Sequence, residues 1–194
     1  MTEEEKNKKQ EEKPIPLSQD TLKILNELEG YGISNYMFNI PRDTAEFIFR
    51  LLKGRDPYRI LEIGTSNGYS TCWMGLACPD AKIITIEKDT KKIKLAQENF
   101  KKLKLKNIEI LEGNALEVLQ GLKDKFDFVF IDGTKSEYVE YLKALNKKLN
   151  KDAIIVADNI HSHNIIDYVE MAKARYNSTT VDVGTGLEVS YVWA

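Results

Sequence analysis

Five short apolar runs alternate with segments of helical character between residues 58 and 176, and this alternation limits the fold more than any other feature. The runs are YRILEI (58–63), KIITIE (82–87), NIEIL (107–111), FDFVFI (126–131) and AIIVA (153–157). Strands that are apolar on both faces need cover on both faces, as in a parallel sheet with a helix after each strand. The sequence therefore predicts an α/β fold with a mostly parallel sheet. Two further runs, STTVDV and LEVSYVW, flank GTG and predict a C-terminal hairpin.

The chain has 194 residues, which suits one domain with its own core. Residues 1–16 are rich in Lys, Glu and Gln and lack apolar periodicity, so they predict a mobile charged leader before a single domain over residues 17–194. Two helices are expected between this leader and the first strand. They run from a cap at Ser18 to a stop at Gly30, and from Pro41 to Lys53 with Gly54 as the stop.

The composition favours a cytoplasmic protein. No apolar run in the sequence has membrane-spanning length, and the charged N-terminus is unlike a signal peptide. The only cysteines, Cys72 and Cys78, fall in one predicted helix, which argues against a disulfide scaffold. A net charge of −2 argues against nucleic-acid binding through bulk electrostatics.

The ends of the first three strands carry residues suited to an adenosine-containing ligand. In parallel sheets, ligands bind beyond the carboxyl ends of the strands, where the strand order reverses. Gly64 and Gly68 bracket a tight turn after the first strand, Glu87 ends the second where an acidic side chain can bind ribose hydroxyls, and EGNA (112–115) follows the third. A generic glycine turn and a helix-start carboxylate are the structural alternatives.

The spacing of these glycines bears on the identity of the cofactor. The turn has the pattern G-x-x-x-G and not the dinucleotide fingerprint G-x-G-x-x-G. It therefore favours S-adenosylmethionine, which has no pyrophosphate, over NAD.

The fourth and fifth strands both end in oxygen ligands. Asp132 follows one strand, and Asp158 and Asn159 follow the next. If the strands are neighbours, these hard donors suit Mg²⁺, with Mn²⁺ or Ca²⁺ as alternatives, whereas helix capping and a turn are the structural explanations. Lys135 lies about one helical turn beyond Asp132, where it could act as a base or remain a solvated lysine.

Together these motifs resemble the metal-dependent O-methyltransferases, a family that includes catechol and caffeoyl-CoA O-methyltransferases and a bacterial and archaeal branch. LEIGTSNGYS, the strand end at Glu87, FDFVFIDGTKSEYVEYL and IIVADN carry the resemblance. It implies a Rossmann-like class I methyltransferase fold with a seven-stranded, mostly parallel sheet, helices on both faces and a C-terminal antiparallel hairpin. It also implies S-adenosylmethionine, a divalent cation, a homodimer, and methylation of a hydroxyl on a catechol-like or other vicinal-diol small molecule.

The resemblance assigns roles by position. Asp132, Asp158 and Asn159 correspond to the metal ligands, Lys135 to the catalytic base, and Glu188 to a second contact with the acceptor hydroxyl. The implied cofactor-binding residues are Ile40, Glu62, Gly64, Ser66, Gly68, Ser70, Glu87, Gly113, Asn114, Ala115 and Asp132. Gly133 and Thr134 depart from relatives, which carry larger or charged residues there, so the wall beside the methyl group is expected to be open.

Three other functions compete with this interpretation. Some relatives methylate a hydroxylated wobble uridine of tRNA, and a lysine-rich stretch (91–106) could bind RNA. A solvated helix face and the loop after it explain this stretch better, given the acidic total charge. The intact set of Asp132, Lys135, Asp158 and Asn159 argues against a catalytically silent cofactor-binding module. The glycine spacing argues against an NAD-dependent oxidoreductase. The roles of His161 and His163 stay open.

Overall fold

The computed structural model describes residues 14–163 and 165–193. Within these residues, seven strands form a single sheet, and seven α-helices lie between and around them. The strands are β1 (Arg59–Ile63), β2 (Lys82–Glu87), β3 (Ile108–Glu112), β4 (Phe126–Ile131), β5 (Leu149–Ala157), β6 (Asn177–Val181) and β7 (Leu187–Tyr191). The helices are α1 (Gln19–Ser34), α2 (Arg42–Arg55), α3 (Tyr69–Ala77), α4 (Thr90–Lys102), α5 (Ala115–Gly121), α6 (Tyr138–Leu145) and α7 (Ile166–Arg175).

The sheet has the strand order β3-β2-β1-β4-β5-β7-β6. Strands β1 to β5 pair in parallel, while β7 is antiparallel to both β5 and β6. The predicted fold, including the C-terminal antiparallel hairpin, is confirmed. The order reverses between β1 and β4, where Ile63 pairs with Ile131, and Ile131 pairs in turn with Ala157. The residues that follow these strands therefore meet at one edge of the sheet.

Two hydrophobic clusters cover the two faces of the sheet. Helices α1 to α4 pack over one face around Trp73 and Phe130, and helices α5 to α7 pack over the other around Tyr138 and Ile131. Successive residues of the central strands alternate between these clusters, since side chains along a strand point to opposite faces. Burial on both sides explains why the strands read as continuous apolar runs.

Helix α1 differs from its predicted extent. It runs to Ser34, past Gly30, which was expected to end it. Gly30 has open space around its Cα, whereas Gly32 packs so closely against Asn39 that a Cβ there would lie 2.1 Å from Asn39 Nδ2. Packing of the last turn against the following loop therefore carries the helix beyond the first glycine.

Two other elements also extend further than predicted. Helix α2 continues through Gly54 to Arg55, and the next residue, Asp56, adopts a left-handed conformation with φ of 48°. Strand β5 begins at Leu149, which pairs with Phe126 across an irregularity in the register. The early part of β5 has no apolar run, so the sequence pattern alone could not reveal it.

Most of the predicted leader lies outside the described residues, because only Pro14 to Pro16 of it are described. Ile15, inside the predicted leader, and Leu17 both pack against the cluster beneath α1. The boundary between a leader and a domain at residue 17 stays a prediction. Across residues 14–163 and 165–193, no helix combines the length and the apolar character needed to cross a membrane.

Candidate active site

A cavity of about 370 Å³ opens at the carboxyl ends of the parallel strands, where the sheet topology predicted a ligand site. It brings together residues that are far apart in sequence. On one side it is lined by Gly64, Ser66, Glu87, Gly113, Asn114 and Ala115, and on the other by Asp132, Lys135 and Asn159. Nine of the sequence-predicted site residues therefore line a single cavity.

Gly64 allows β1 and β4 to approach at the base of this cavity. Its φ is +103°, and a Cβ there would lie 2.3 Å from the carbonyl oxygen of Asp132. Gly68, with φ of +81°, begins helix α3 and packs against the ring of Phe100. Only glycine fits either position without displacing neighbours. Gly68 does not line the cavity but supports the turn that does.

Glu62 lies behind the turn and is fully buried. Its carboxylate accepts hydrogen bonds from Ser70 Oγ (2.5 Å), Thr85 Oγ1 (2.6 Å) and the Thr71 hydroxyl. Burial raises the pKa of Glu62 from about 4.5 to about 7, although the three hydroxyls oppose the shift. Glu62 and Ser70 thus hold strands and helix α3 together beneath the cavity, and direct contact with a cofactor stays a prediction for both.

Glu87 reaches into the cavity from the end of β2. One carboxylate oxygen accepts the backbone N–H of Ser66 (2.9 Å), and the other accepts those of Lys88 (2.9 Å) and Asp89 (3.0 Å). These bonds fix the carboxylate next to the glycine turn, where it can bind hydroxyl groups of a ligand.

The loop between α1 and α2 closes one side of the cavity with Met37 and Phe38. Ser66 Oγ donates to the carbonyl oxygen of Met37 at 2.9 Å and ties this loop to the turn after β1. Tyr36 and Phe38 have φ of 52° and 56° and are 81% and 84% exposed. Aromatic residues rarely adopt positive φ, so this segment is held in a strained conformation at the mouth of the cavity. Ile40, the predicted contact, is buried under the loop and does not line the cavity.

Asp132 and Lys135 form a close pair in the half of the cavity away from Glu87. Lys135 Nζ donates to Asp132 Oδ1 at 2.6 Å and to the Tyr138 hydroxyl at 3.0 Å, and that hydroxyl donates to the carbonyl oxygen of Ile131 at 3.2 Å. Burial raises the pKa of Asp132 to about 6, opposed by Lys135 and reinforced by the carboxylate of Asp158. Burial also raises the pKa of Tyr138 well above 10, so its hydroxyl stays protonated.

Asp158 and Asn159 follow β5, and Thr185 connects them. Thr185 Oγ1 donates to Asp158 Oδ1 at 2.7 Å and accepts from Asn159 Nδ2 at 3.1 Å. Burial is the main cause that raises the pKa of Asp158, and the bond from Thr185 opposes it. The described residues contain no group of three or more His, Cys, Asp and Glu arranged to hold a metal ion. The metal role of Asp132, Asp158 and Asn159 stays a prediction.

Glu188 does not line the cavity, and its predicted contact with an acceptor stays a prediction. It is fully buried on β7 and accepts hydrogen bonds from Ser178 Oγ and Thr180 Oγ1, both at 2.5 Å. Its neighbours Leu187 and Val189 point into the cluster under α1 to α4, so Glu188 points to the opposite face of the sheet. Strand alternation and the hydroxyls of β6 therefore place it in the interior.

Several cavity residues were not predicted as site residues. Tyr141 lies beside Gly133, where a Cβ would come within 3.1 Å of the Tyr141 ring and hydroxyl. The tyrosine thus fills the wall that Gly133 was expected to leave open, and its hydroxyl donates to Glu137 Oε2 at 2.5 Å. His163 also lines the cavity, whereas His161 hydrogen bonds to Asp182 Oδ1 at 2.7 Å. The spacing of four residues between Glu137 and Tyr141 suits a contact on one helix face, but it does not indicate that Tyr141 reaches the cavity.

A family model described as O-methyltransferase matches residues 16–182, which is most of the chain. The chain belongs to the O-methyltransferase family. This confirms the resemblance that the strand-end motifs carry.

Individual methyltransferases resemble the chain in part of its length. It is 38% identical over 128 residues to a catechol O-methyltransferase of Niastella koreensis, covering 63% of this chain and 58% of that protein. It is 32% identical over 152 residues to tapetum-specific methyltransferase 1 of Arabidopsis thaliana, covering 74% and 65%. The chain therefore covers less than two thirds of either relative.

A solved structure extends the likeness to the whole fold. The O-methyltransferase of Bacillus cereus, in complex with SAH, superposes with a TM-score of 0.81 over 92% of both chains at 24% identity. This match concerns the arrangement of the sheet and helices.

Proposed function

We propose that this protein is an S-adenosylmethionine-dependent O-methyltransferase that uses a divalent cation to methylate a hydroxyl of a catechol-like or other vicinal-diol small molecule. One observation carries the proposal. A single cavity places the Glu87 carboxylate and the glycine turn on one side and the pair of Asp132 and Lys135 on the other. A methyl donor and a hydroxyl acceptor could thus lie in one cavity, next to a potential base.

The cofactor side of the cavity suits an adenosine. Glu87 offers two fixed oxygens for ribose hydroxyls, while Gly113, Asn114 and Ala115 provide an uncharged part of the lining for a base. The turn at Gly64 and Ser66 lies between these groups and Asp132, where the methionine part would fit. The SAH complex of the Bacillus cereus relative agrees with this cofactor.

The donor set fits a hard divalent cation such as Mg²⁺ or Mn²⁺. Burial is the main cause that raises the pKa of Asp132, Lys135 opposes it, and the carboxylate of Asp158 adds to it. A cation held by these carboxylates would offset the repulsion between them. Asn159 lines the cavity with its Nδ2 bonded to Thr185, which leaves Oδ1 as the atom for a ligand. When bound, such a cation supplies Lewis acidity that makes an acceptor hydroxyl easier to deprotonate.

The residues of the chain would position the reactants for an in-line displacement. The acceptor oxygen forms a bond to the methyl carbon, the bond between carbon and sulfur breaks, and the thioether leaves with its electron pair. The acceptor hydroxyl would lose its proton to Nζ of Lys135. Tyr138, which bonds to Nζ and to the Ile131 carbonyl, orients the amine toward the cavity.

The mouth of the cavity supports an aromatic acceptor. Met37 and Phe38 line it, and Phe38 is 84% exposed, so an apolar side chain is available there to contact a ligand. A flat ring stacked against Phe38 would cover part of this surface and present its hydroxyls to Asp132 and Lys135.

Methyl transfer from labelled S-adenosylmethionine to a panel of catechols and to bulk tRNA, with Mg²⁺ or with EDTA, tests the proposal. We expect turnover of a catechol that EDTA abolishes and that changes little with salt. Activity unaffected by EDTA would contradict the metal role. Transfer only to tRNA, lost as salt rises, would favour the RNA alternative, for which Lys88 and Lys92 at the cavity are the relevant cations.

Assembly and location are separate parts of the proposal. We expect a homodimer in the cytoplasm, and sedimentation equilibrium of the purified protein tests the first of these. A monomer at micromolar concentration would contradict the expected dimer without affecting the assignment of the cavity.

A further inference from the structure

The turn between β6 and β7, which the sequence predicts only as the GTG of a hairpin, lies against the segment that follows β5. Thr185, its middle residue, donates from Oγ1 to Asp158 Oδ1 (2.7 Å) and accepts at Oγ1 from Asn159 Nδ2 (3.1 Å). A threonine hydroxyl has one donor hydrogen and two acceptor positions, so both bonds can exist together.

These two bonds fix the orientation of the Asn159 amide. The Thr185 hydroxyl has its hydrogen engaged with Asp158, so toward Asn159 it can only accept, and it must meet the amide nitrogen. The amide oxygen then points away from Thr185, and no hydrogen bond from a residue within 14–163 or 165–193 reaches it. A hard cation binds the amide oxygen and not the nitrogen, so this orientation is the one a metal ligand needs.

The position of Thr185 is itself fixed by backbone contacts to the same segment. Ile160 N–H donates to the Gly186 carbonyl at 3.0 Å, and His161 N–H donates to the Thr185 carbonyl at 3.1 Å. The turn and the segment after β5 thus pair through their backbones as well as through the threonine side chain.

Both glycines of the turn are required by their surroundings. Gly186 has φ of +84°, and a Cβ on it would lie 2.3 Å from the His161 ring. Gly184 has φ of +56° and lies against Thr44, while its N–H donates to Asp43 Oδ2 at 3.2 Å. Helix α2 on one side and His161 on the other leave the turn little room to move.

We propose that Thr185 is a positioning residue that presents the oxygens of Asp158 and Asn159 to a divalent cation. This inference rests on the metal role in the proposed function. Thr185 itself touches no reacting atom. Residues that hydrogen bond to metal ligands and orient them typically contribute 10- to 100-fold to metal affinity. Thr185, in the turn between β6 and β7, would make such a contribution.

A titration of the full chain with Mn²⁺ tests this role apart from catalysis. The electron paramagnetic resonance signal of free Mn²⁺ reports how much Mn²⁺ is bound, and no acceptor or cofactor is present. Thr185→Val keeps the branched shape and removes the hydroxyl, and Thr185→Ser keeps the hydroxyl. We expect Thr185→Val to raise the Mn²⁺ dissociation constant about 10-fold or more, and Thr185→Ser to stay within about 3-fold of wild type. Thr179→Val, on an exposed position of β6, is the matched control and should bind as wild type does.

The outcomes separate the two proposals. If wild type and Asp158→Asn bind Mn²⁺ equally, the metal role in the proposed function fails. If Asp158→Asn loses binding but Thr185→Val matches wild type, the role of Thr185 is overturned while the metal site stands. Equal losses in Thr185→Ser and Thr185→Val would also overturn it, since the hydroxyl would then not matter. If the valine variant does not fold, Thr185→Ala replaces it, and wild-type affinity in that variant has the same meaning.

Discussion

Lys135 Nζ lies 2.6 Å from Asp132 Oδ1, and both side chains are largely shielded from solvent at the cavity. This distance is at the short end of the range for N–H···O hydrogen bonds in proteins. Tyr138 holds the same nitrogen from the other side at 3.0 Å. The amine is therefore fixed in space before any acceptor arrives, which is the condition for efficient proton transfer.

Replacing Lys135 with methionine should lower kcat about 10²- to 10⁴-fold, because the group that receives the acceptor proton is removed. The dissociation constant for SAH should change little, since the cofactor side of the cavity is untouched. Turnover of the productive acceptor and calorimetric titration with SAH measure the two quantities. Lys143→Met, an exposed lysine that pairs with Glu140 on α6, is the control. Equal turnover in wild type and Lys135→Met would remove Lys135 from the reaction.

Replacing Glu87 with glutamine should weaken SAH binding about 10-fold or more, because hydrogen bonds to a charged group contribute about 1.5–3 kcal/mol each. The amide also has only one oxygen for the three backbone N–H groups that Glu87 now accepts. Calorimetry with SAH measures the effect. Glu109→Gln, exposed on β3 and paired with Lys82, should bind as wild type does. An unchanged affinity in Glu87→Gln would place the ribose elsewhere.

The titration of Glu62 should lower the free energy of unfolding as pH rises from about 4.5 to about 7. The folded pKa, about 7, lies above the ordinary value, so the folded state binds more protons than the unfolded state in this window. The contribution of Glu62 is thus fully present below about pH 4.5 and lost as pH passes the folded value. Urea unfolding of wild type and Glu62→Gln at several pH values measures it.

In Glu62→Gln this titration is absent, so its unfolding free energy relative to wild type should increase across the window by something on the order of 1–3 kcal/mol. A difference that stays constant with pH would show that Glu62 does not titrate there.

Gly30→Ala should stabilise the protein by about 0.5–1 kcal/mol, because Gly30 lies inside α1 and a Cβ there meets no atom within 4 Å. Gly64→Ala should instead destabilise it, since the added Cβ would lie 2.3 Å from the Asp132 carbonyl oxygen at a positive φ. Melting temperatures of the two variants should move in opposite directions. A lower melting temperature for Gly30→Ala would mean that α1 ends near residue 30, as the sequence pattern first indicated.

The order of elements and the meeting of nine residues in the cavity could be read from the sequence. Strands that are buried on both faces leave continuous apolar runs, and parallel strands must end at the same edge. Glu87, Asp132 and Asn159 each follow such a run, so their meeting in one cavity needed no knowledge of other contacts. The same logic explains why Gly64 was identified, since the turn after β1 must bring backbone close to its neighbours.

The lengths of the elements were less visible, because helix ends depend on packing. Gly30 has the residue type of a helix stop, yet α1 continues to Ser34, where Gly32 packs against Asn39. Local sequence carries the propensity of a glycine to end a helix but not the contact that overrides it.

Only the tertiary structure decided which contacts the C-terminal hairpin makes. Its two strands are short and mixed in polarity, so the sequence predicts a hairpin but not the side of the sheet it joins. Pairing of β7 with β5 turns Glu188 into the interior, against the hydroxyls of β6, and brings Thr185 onto Asp158 and Asn159 across 26 to 27 residues. Strand order and facing are set by which surfaces bury together, and no local pattern within either segment records that choice.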